Sequence, residues 1–242
     1  AIRTGTNSTF QLISSHFGIL RGDLLSAEGN SAHNVGILSI SVLTTKPATV
    51  STFVHNSSLT AFLNRSTLSV GAVASLASIL SVGGYNEGSS ATSNLVIRES
   101  RIVFDGDFTT VSASTRELAS FIASIFSVTL NSPAGEALHQ LVDNTDITVV
   151  GSNLIFDAVA KSQASGVMSV NALCMNCPSR GVLTSSRLTL FAHNNVTFKS
   201  RGTHAVVTLG FAVGHAVSTE LVCNHSTIGV IGGSANLIAQ TD

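Results

Sequence analysis

Ala77-Ser-Ile-Leu-Ser-Val82 and Ala123-Ser-Ile-Phe-Ser-Val128 decide how this chain is read, because they differ at one position and lie 46 residues apart. Internal self-similarity at a fixed period is the signature of a repeat architecture. Related segments occur at Gly36-Ile-Leu-Ser-Ile-Ser-Val42, Gly166-Val-Met-Ser-Val170 and Ala205-Val-Val-Thr-Leu209. Aligning their hydroxyl residues Ser39, Ser81, Ser127, Ser169 and Thr208 gives steps of 42, 46, 42 and 39 residues. These five are expected at equivalent, core-facing places of stacked units.

A second pattern alternates with the first. It is an apolar stretch, a polar corner and another alternating stretch, as in Thr52-Phe-Val-His-Asn-Ser-Ser-Leu-Thr-Ala61 and Leu190-Phe-Ala-His-Asn-Asn-Val-Thr-Phe198. Aligning its corners at Ser57, Ser100, Ser152, Asn194 and Ser226 gives steps of 43, 52, 42 and 32 residues. Such units cannot bury an apolar face alone, and stacking them makes a continuous core. The expected fold is all-β, a parallel β-helix over residues 1–242 as a single domain of about five repeats of ~42 residues. A β-propeller is the alternative, and a period near 42 fits either one coil or two per repeat. The widened corner step predicts a helical insertion near residues 114–143. Ser114-Thr-Arg-Glu117 has the capping-box spacing, and Pro133 suits a first helical turn before Leu138, Leu141 and Val142.

Composition agrees with strands and narrows the function. The chain has 36 Ser and 24 Thr, only 10% charged residues and a formal net charge of −1. β-branched side chains suit a pleated surface. No basic run exists to neutralise a series of phosphates, so nucleic acid is not an expected partner. No apolar run reaches the ~18 residues of a transmembrane helix. The chain opens at Ala1 without a Met, which reads as a processed product or a piece of something longer.

Catalytic chemistry finds little footing. Glycoside hydrolysis needs two placed carboxylates. The candidates are Asp105 and Asp107 in Phe-Asp-Gly-Asp-Phe, which reads as a turn, and Asp146 in Asn-Thr-Asp. The chain is therefore expected to be non-enzymatic, with no catalytic residue, metal or cofactor assigned. Cys174 and Cys177, in Cys-Met-Asn-Cys, fit a loop-closing disulfide in an oxidising compartment better than zinc, which would need two more ligands. Cys223 is left over, either free or bonded elsewhere. Asn-x-Ser/Thr acceptors for N-glycans occur at Asn7, Asn56, Asn64, Asn195 and Asn224. All but Asn64 fall at the polar corner of the second pattern, where stacked coils would line their glycans along one edge.

The strand-corner-strand units Asn94-Leu-Val-Ile-Arg-Glu-Ser-Arg-Ile-Val-Phe104 and Asp146-Ile-Thr-Val-Val-Gly-Ser-Asn-Leu-Ile-Phe156 resemble the repeats of kinetoplastid surface proteins, the dispersed gene family proteins of trypanosomes among them. The likeness is one of repeat style, and those proteins are much longer. It implies a large, glycosylated, surface-exposed β-helix, without an activity or a functional residue to carry over. The expected function is an extracellular structural or adhesive component of the cell surface. A carbohydrate-active β-helix enzyme and an ice-binding solenoid are the alternatives. Both ends of the sequence read like the interior of an array, which fits either a piece cut from a longer solenoid or subunits stacked head to tail; end-to-end self-association into filaments is the favoured expectation.

Overall fold

The structure is a computed structural model. It describes residues 2–4, 8–20, 24–29, 35–44, 49–72, 76–86, 92–115, 122–132, 137–174, 177–205, 209–214 and 218–240. Among them there are 23 strands and no helix. No helix among the described residues is therefore long and apolar enough to cross a membrane.

Every strand pairing is parallel, and the chain returns to each ladder after one circuit. The first ladder stacks Ser8–Ile13, Val50–His55, Thr92–Arg98, Ala137–Asp143, Ser179–Thr184 and Thr219–Asn224. The second stacks His16–Leu20, Ser58–Asn64, Arg101–Asp107, Asp146–Ser152, Arg187–Asn194 and Thr227–Gly232. The third and fourth ladders belong to one eleven-stranded sheet, joined through the 20-residue strand Ile155–Cys174. Following Ser8 up the first ladder leads to Val50, Ser93, Leu138, Ser179 and Thr219, in steps of 42, 43, 45, 41 and 40 residues. The fold is thus an all-β parallel β-helix in which one repeat makes one circuit of four strands.

Strand alternation explains the packing. Side chains on a strand point alternately to opposite faces, and Val50–His55, Ser58–Asn64 and Thr92–Arg98 each alternate buried with less buried residues. Inward residues form columns up the stack. One is Leu59, Ile102, Ile147 and Leu188, all at most 1% exposed. Another stacks Leu68, Val111, Phe156 and Phe198, with the two rings 6.3 Å apart between centroids. Each such side chain contributes about 1.5–3 kcal/mol by leaving water.

The aligned hydroxyls Ser39, Ser81, Ser127 and Ser169 are register partners in the fourth ladder. Thr208 lies outside the described residues, and the partner of Ser169 in the next circuit is Gly210. The expected helix is corrected: Ala137–Asp143 is a strand of the first ladder, flanked in sequence by the strand Ile122–Ser132. Residues 133–136 and 116–121 lie outside the described ones. The apolar spacing of Leu138 and Val142 serves a strand as well as a helix, because both point inward with Gln140 between them.

The supposed widening that suggested an insertion has a different cause. Each circuit has two corners of the same make, one between the first and second ladders and one between the second and third. Ser57, Ser100 and Ser226 belong to the first corner, whereas Ser152 and Asn194 belong to the second. The step of 52 crosses from one corner to the other, and the step of 32 crosses back. The equivalent residues of the first corner are Ser15, Ser57, Ser100, Thr145, Ser186 and Ser226.

Candidate functional site

The first corner is built from a two-residue unit. A residue with positive φ comes first: Ser14, Asn56, Glu99, Asn144, Ser185 and His225, at φ between 44 and 49°. Asn tolerates this left-handed conformation better than most residues, whereas Glu does so at a cost. A Ser or Thr follows, with its side chain turned inward. Each hydroxyl donates to the carbonyl two residues back, as Ser100 does to Arg98 at 2.7 Å and Thr145 to Asp143 at 2.8 Å. From Ser57 onward each also accepts the N–H of the matching residue one circuit earlier. Ser15 donates to Ser57 at 3.2 Å, Ser57 to Ser100 at 3.3 Å, Ser100 to Thr145 at 3.4 Å, Thr145 to Ser186 at 3.0 Å and Ser186 to Ser226 at 3.1 Å. Buried backbone donors must be paired somewhere, and here a column of hydroxyls pairs them.

The outer face of the second ladder begins at this corner. Arg101, Asp146 and Arg187 are register partners on successive circuits. Arg187 clamps Asp146 through two bonds, Nε at 2.7 Å and Nη2 at 2.8 Å. The bonds from Arg187 hold the Asp146 carboxyl below its ordinary range, with a smaller pull from Arg101 and an opposing push from burial. An open groove of about 630 Å³ runs along the corner here, lined by Glu99, Arg101, Asn144, Asp146, Arg187 and His225 among others. Similar pairs cross between circuits elsewhere: Arg180 to Glu220 at 2.8 Å and Arg201 to Asp157 at 2.7 Å. The sequence did carry this signal, since Asp146 and Arg187 stand 41 residues apart and Asp157 and Arg201 stand 44 apart.

Asp105 and Asp107 occupy the same outward face of Arg101–Asp107, a strand and not the turn expected of them. The Asp105 carboxyl is pushed up chiefly by burial, then by the Asp107 charge, while His193 pulls it down. Neither lines the groove around Asp146, which is occupied with Arg187. The three carboxylates considered for glycoside chemistry are thus split between two places. Among the described residues, no group of three or more His, Cys, Asp or Glu side chains could hold a metal ion.

Cys177 is buried and disulfide-bonded, and Cys223 is free and exposed. The acceptor asparagines divide between the corners instead of sharing one edge. Asn56 and Asn224 lie at the first corner, Asn64 and Asn195 at the second, and all four are exposed. Asn7 lies outside the described residues. Asn56 donates to the Ser14 hydroxyl at 3.3 Å, and Asn195 donates to the Asn153 side chain at 3.5 Å.

The last described circuit departs from the rest. Leu221, Ile228 and Val230 continue inward columns, being partners of Gly181, Leu188 and Leu190. Yet they are 50%, 42% and 42% exposed, against 0% for Leu188 and Leu190. In the first circuit Phe17, at the base of the Leu59 column, is 47% exposed. Comparison of the chain with protein-family models, with curated proteins and with solved structures finds no match.

Proposed function

We propose that this protein is a non-enzymatic, extracellular structural or adhesive component of a cell surface, which assembles end to end into longer β-solenoid arrays. The observation that carries this reading is the regular parallel stack, in which inward columns and corner hydroxyls repeat in register from circuit to circuit. A disulfide-bonded Cys177 favours an oxidising compartment. Exposed Asn56, Asn64, Asn195 and Asn224 leave room for glycans on both corners. The likeness in repeat style to kinetoplastid surface proteins points the same way.

Light scattering and electron microscopy of the purified chain over a range of concentrations test it. Rods that lengthen with concentration are expected. A chain that stays monomeric throughout would remove the array reading. Mass spectrometry of native material tests the glycans, with modification expected at Asn56, Asn195 and Asn224, and also at Asn7.

A further inference from the structure

We infer that Asn64 carries an N-linked glycan whose first sugar lies against the Phe62 ring, so that the modification covers an exposed aromatic side chain on the flank of the stack. The inference rests on the glycan part of the reading above and gives one acceptor a structural role.

Strand alternation brings the two side chains together. Ser58–Asn64 buries Leu59, Ala61 and Leu63 and turns Phe62 and Asn64 outward, both exposed. Residues two apart on a strand share a face, at about 6.6 Å between Cα atoms. The strand is internal to its ladder, with His16–Leu20 on one side and Arg101–Asp107 on the other. The exposure of Phe62, 43%, is therefore lateral, and no circuit stacked on the molecule would remove it. At the corner that follows, Arg65 and Phe108 take positive φ on successive circuits, and the Arg65 guanidinium stands 6.0 Å from the centroid of the exposed Phe108 ring. Asn64 thus has one ring before it on its own strand and a cation–ring pair after it.

The other described acceptors lack this setting. Two residues before Asn56 stands Val54, turned inward and buried, while His193 precedes Asn195 and Val222 precedes Asn224 at the same distance. The Asn56 and Asn195 amides are bonded to Ser14 and Asn153. At Asn64 the neighbouring hydroxyl of Ser66 donates instead to the main-chain carbonyl at 3.2 Å, which leaves the side-chain amide free.

N-acetylglucosamine, the first sugar of such a glycan, has a face of C–H groups. Laid on Phe62, it takes apolar surface of both partners out of water. Transfer from a lipid-diphosphate-linked oligosaccharide forms the bond from Asn64 Nδ2 to the sugar C1, breaks the bond from C1 to the diphosphate oxygen and releases one amide proton. The motif is read through its hydroxyl residue, and Ser66 is 2% exposed once folded. Transfer therefore precedes closure of this circuit, and the forming strand then sets the sugar on the ring.

Secretion from a eukaryotic host tests this, with the parent, Phe62→Tyr and Phe62→Ser each made with and without Asn64→Gln. Mass spectrometry should find Asn64 occupied wherever it is present. Its glycan should raise the thermal midpoint by about 2–4 °C in the parent and in Phe62→Tyr, and leave it unchanged in Phe62→Ser. Independently of stability, the ring should shift protons of the first sugar upfield in the nuclear magnetic resonance spectrum, and Phe62→Ser should abolish that shift. An occupied Asn64 with the same midpoint gain and sugar shifts in Phe62→Ser as in the parent would overturn the inference. So would an empty Asn64 beside an occupied Asn56 or Asn195. Both results leave the glycoprotein reading standing, whereas a chain with no glycan on any acceptor overturns the two together.

Discussion

At the first corner every circuit turns a Ser or Thr hydroxyl inward, from Ser15 to Ser226. At the second, Ser66 and Thr109 give way to Leu154 and Val196 in the next two circuits. Both corners reverse the chain with a positive-φ residue: Arg65, Phe108, Asn153 and Asn195 at the second corner match Asn56, Glu99, Asn144 and Ser185 at the first. What differs is how the inside of the bend is filled. The first corner spends its interior on hydrogen bonds that run from circuit to circuit. The second, from Leu154 onward, fills it with hydrocarbon, and glycine makes the room. A Cβ on Gly151 would stand 2.8 Å from Leu154 Cδ2, and one on Gly106 would stand 3.2 Å from Leu154 Cδ1. One backbone turn thus accepts either chemistry, provided that its neighbours are chosen to suit.

The comparison breaks most heavily at Leu154. Leu154→Ala empties a fully buried site and should cost about 2–5 kcal/mol, read as a lower urea midpoint. Gly151→Ala should cost about 1–3 kcal/mol by overpacking. The two should be non-additive, because Leu154→Ala vacates the space that the new methyl needs, and a double-mutant cycle measures this coupling. At the first corner Thr145→Val keeps the shape but removes the acceptor of the Ser100 N–H. A loss of about 1–3 kcal/mol is expected, with faster hydrogen exchange at the Ser100 amide, while Thr145→Ser should be close to neutral.

Smaller effects sharpen the picture. Phe108, 56% exposed and at φ 46°, should gain up to about 1 kcal/mol on replacement by Asn, which tolerates that conformation. The contact of its ring with Arg65 at 6.0 Å offsets part of the gain. The smallest effect is expected on acid titration, and it has opposite signs at two carboxylates. Asp146 has a lowered pKa, so its contribution is complete above the ordinary value of 3.8 and is lost as pH falls through the lower folded value. Asp105 has a raised pKa, so its contribution is complete below 3.8 and is lost as pH rises through the higher folded value. Stability measured against pH for Asp146→Asn and Asp105→Asn should therefore diverge from the parent in opposite directions.

The period, the parallel stacking and the hydroxyl register were legible because identical environments select similar residues. Ala77 pairs with Ala123 and Ser81 with Ser127, so near-identity in sequence was adjacency in space. The corners were harder for a physical reason. Both require alternating apolar residues, a residue able to take positive φ, and a compact residue turned inward. Asn94–Phe104 spans the first corner and Asp146–Phe156 the second, yet they look alike. Nine residues separate Ser57 from Ser66, Ser100 from Thr109 and Thr145 from Leu154, so a one-corner slip still looks periodic. The Arg187–Asp146 clamp of the open groove is not legible in any local run of charge, because the two partners sit one circuit apart, 41 residues away in sequence.

Stacking steps of 40 to 45 residues also dictate how such a chain acquires its structure. Each circuit must close a loop of nearly constant size before its contacts form, at an entropic cost of roughly 3 kcal/mol plus a constant. The first two circuits to meet bear that cost without a template, whereas each later one closes onto a ladder already in place. Growth is then a zipper that can begin at any neighbouring pair and run towards both termini. Folding should accordingly be slow to nucleate, as expected of contacts remote in sequence, and quick to propagate. A ribosome releasing the chain one circuit at a time would supply the nucleus early and let the rest wind on in order.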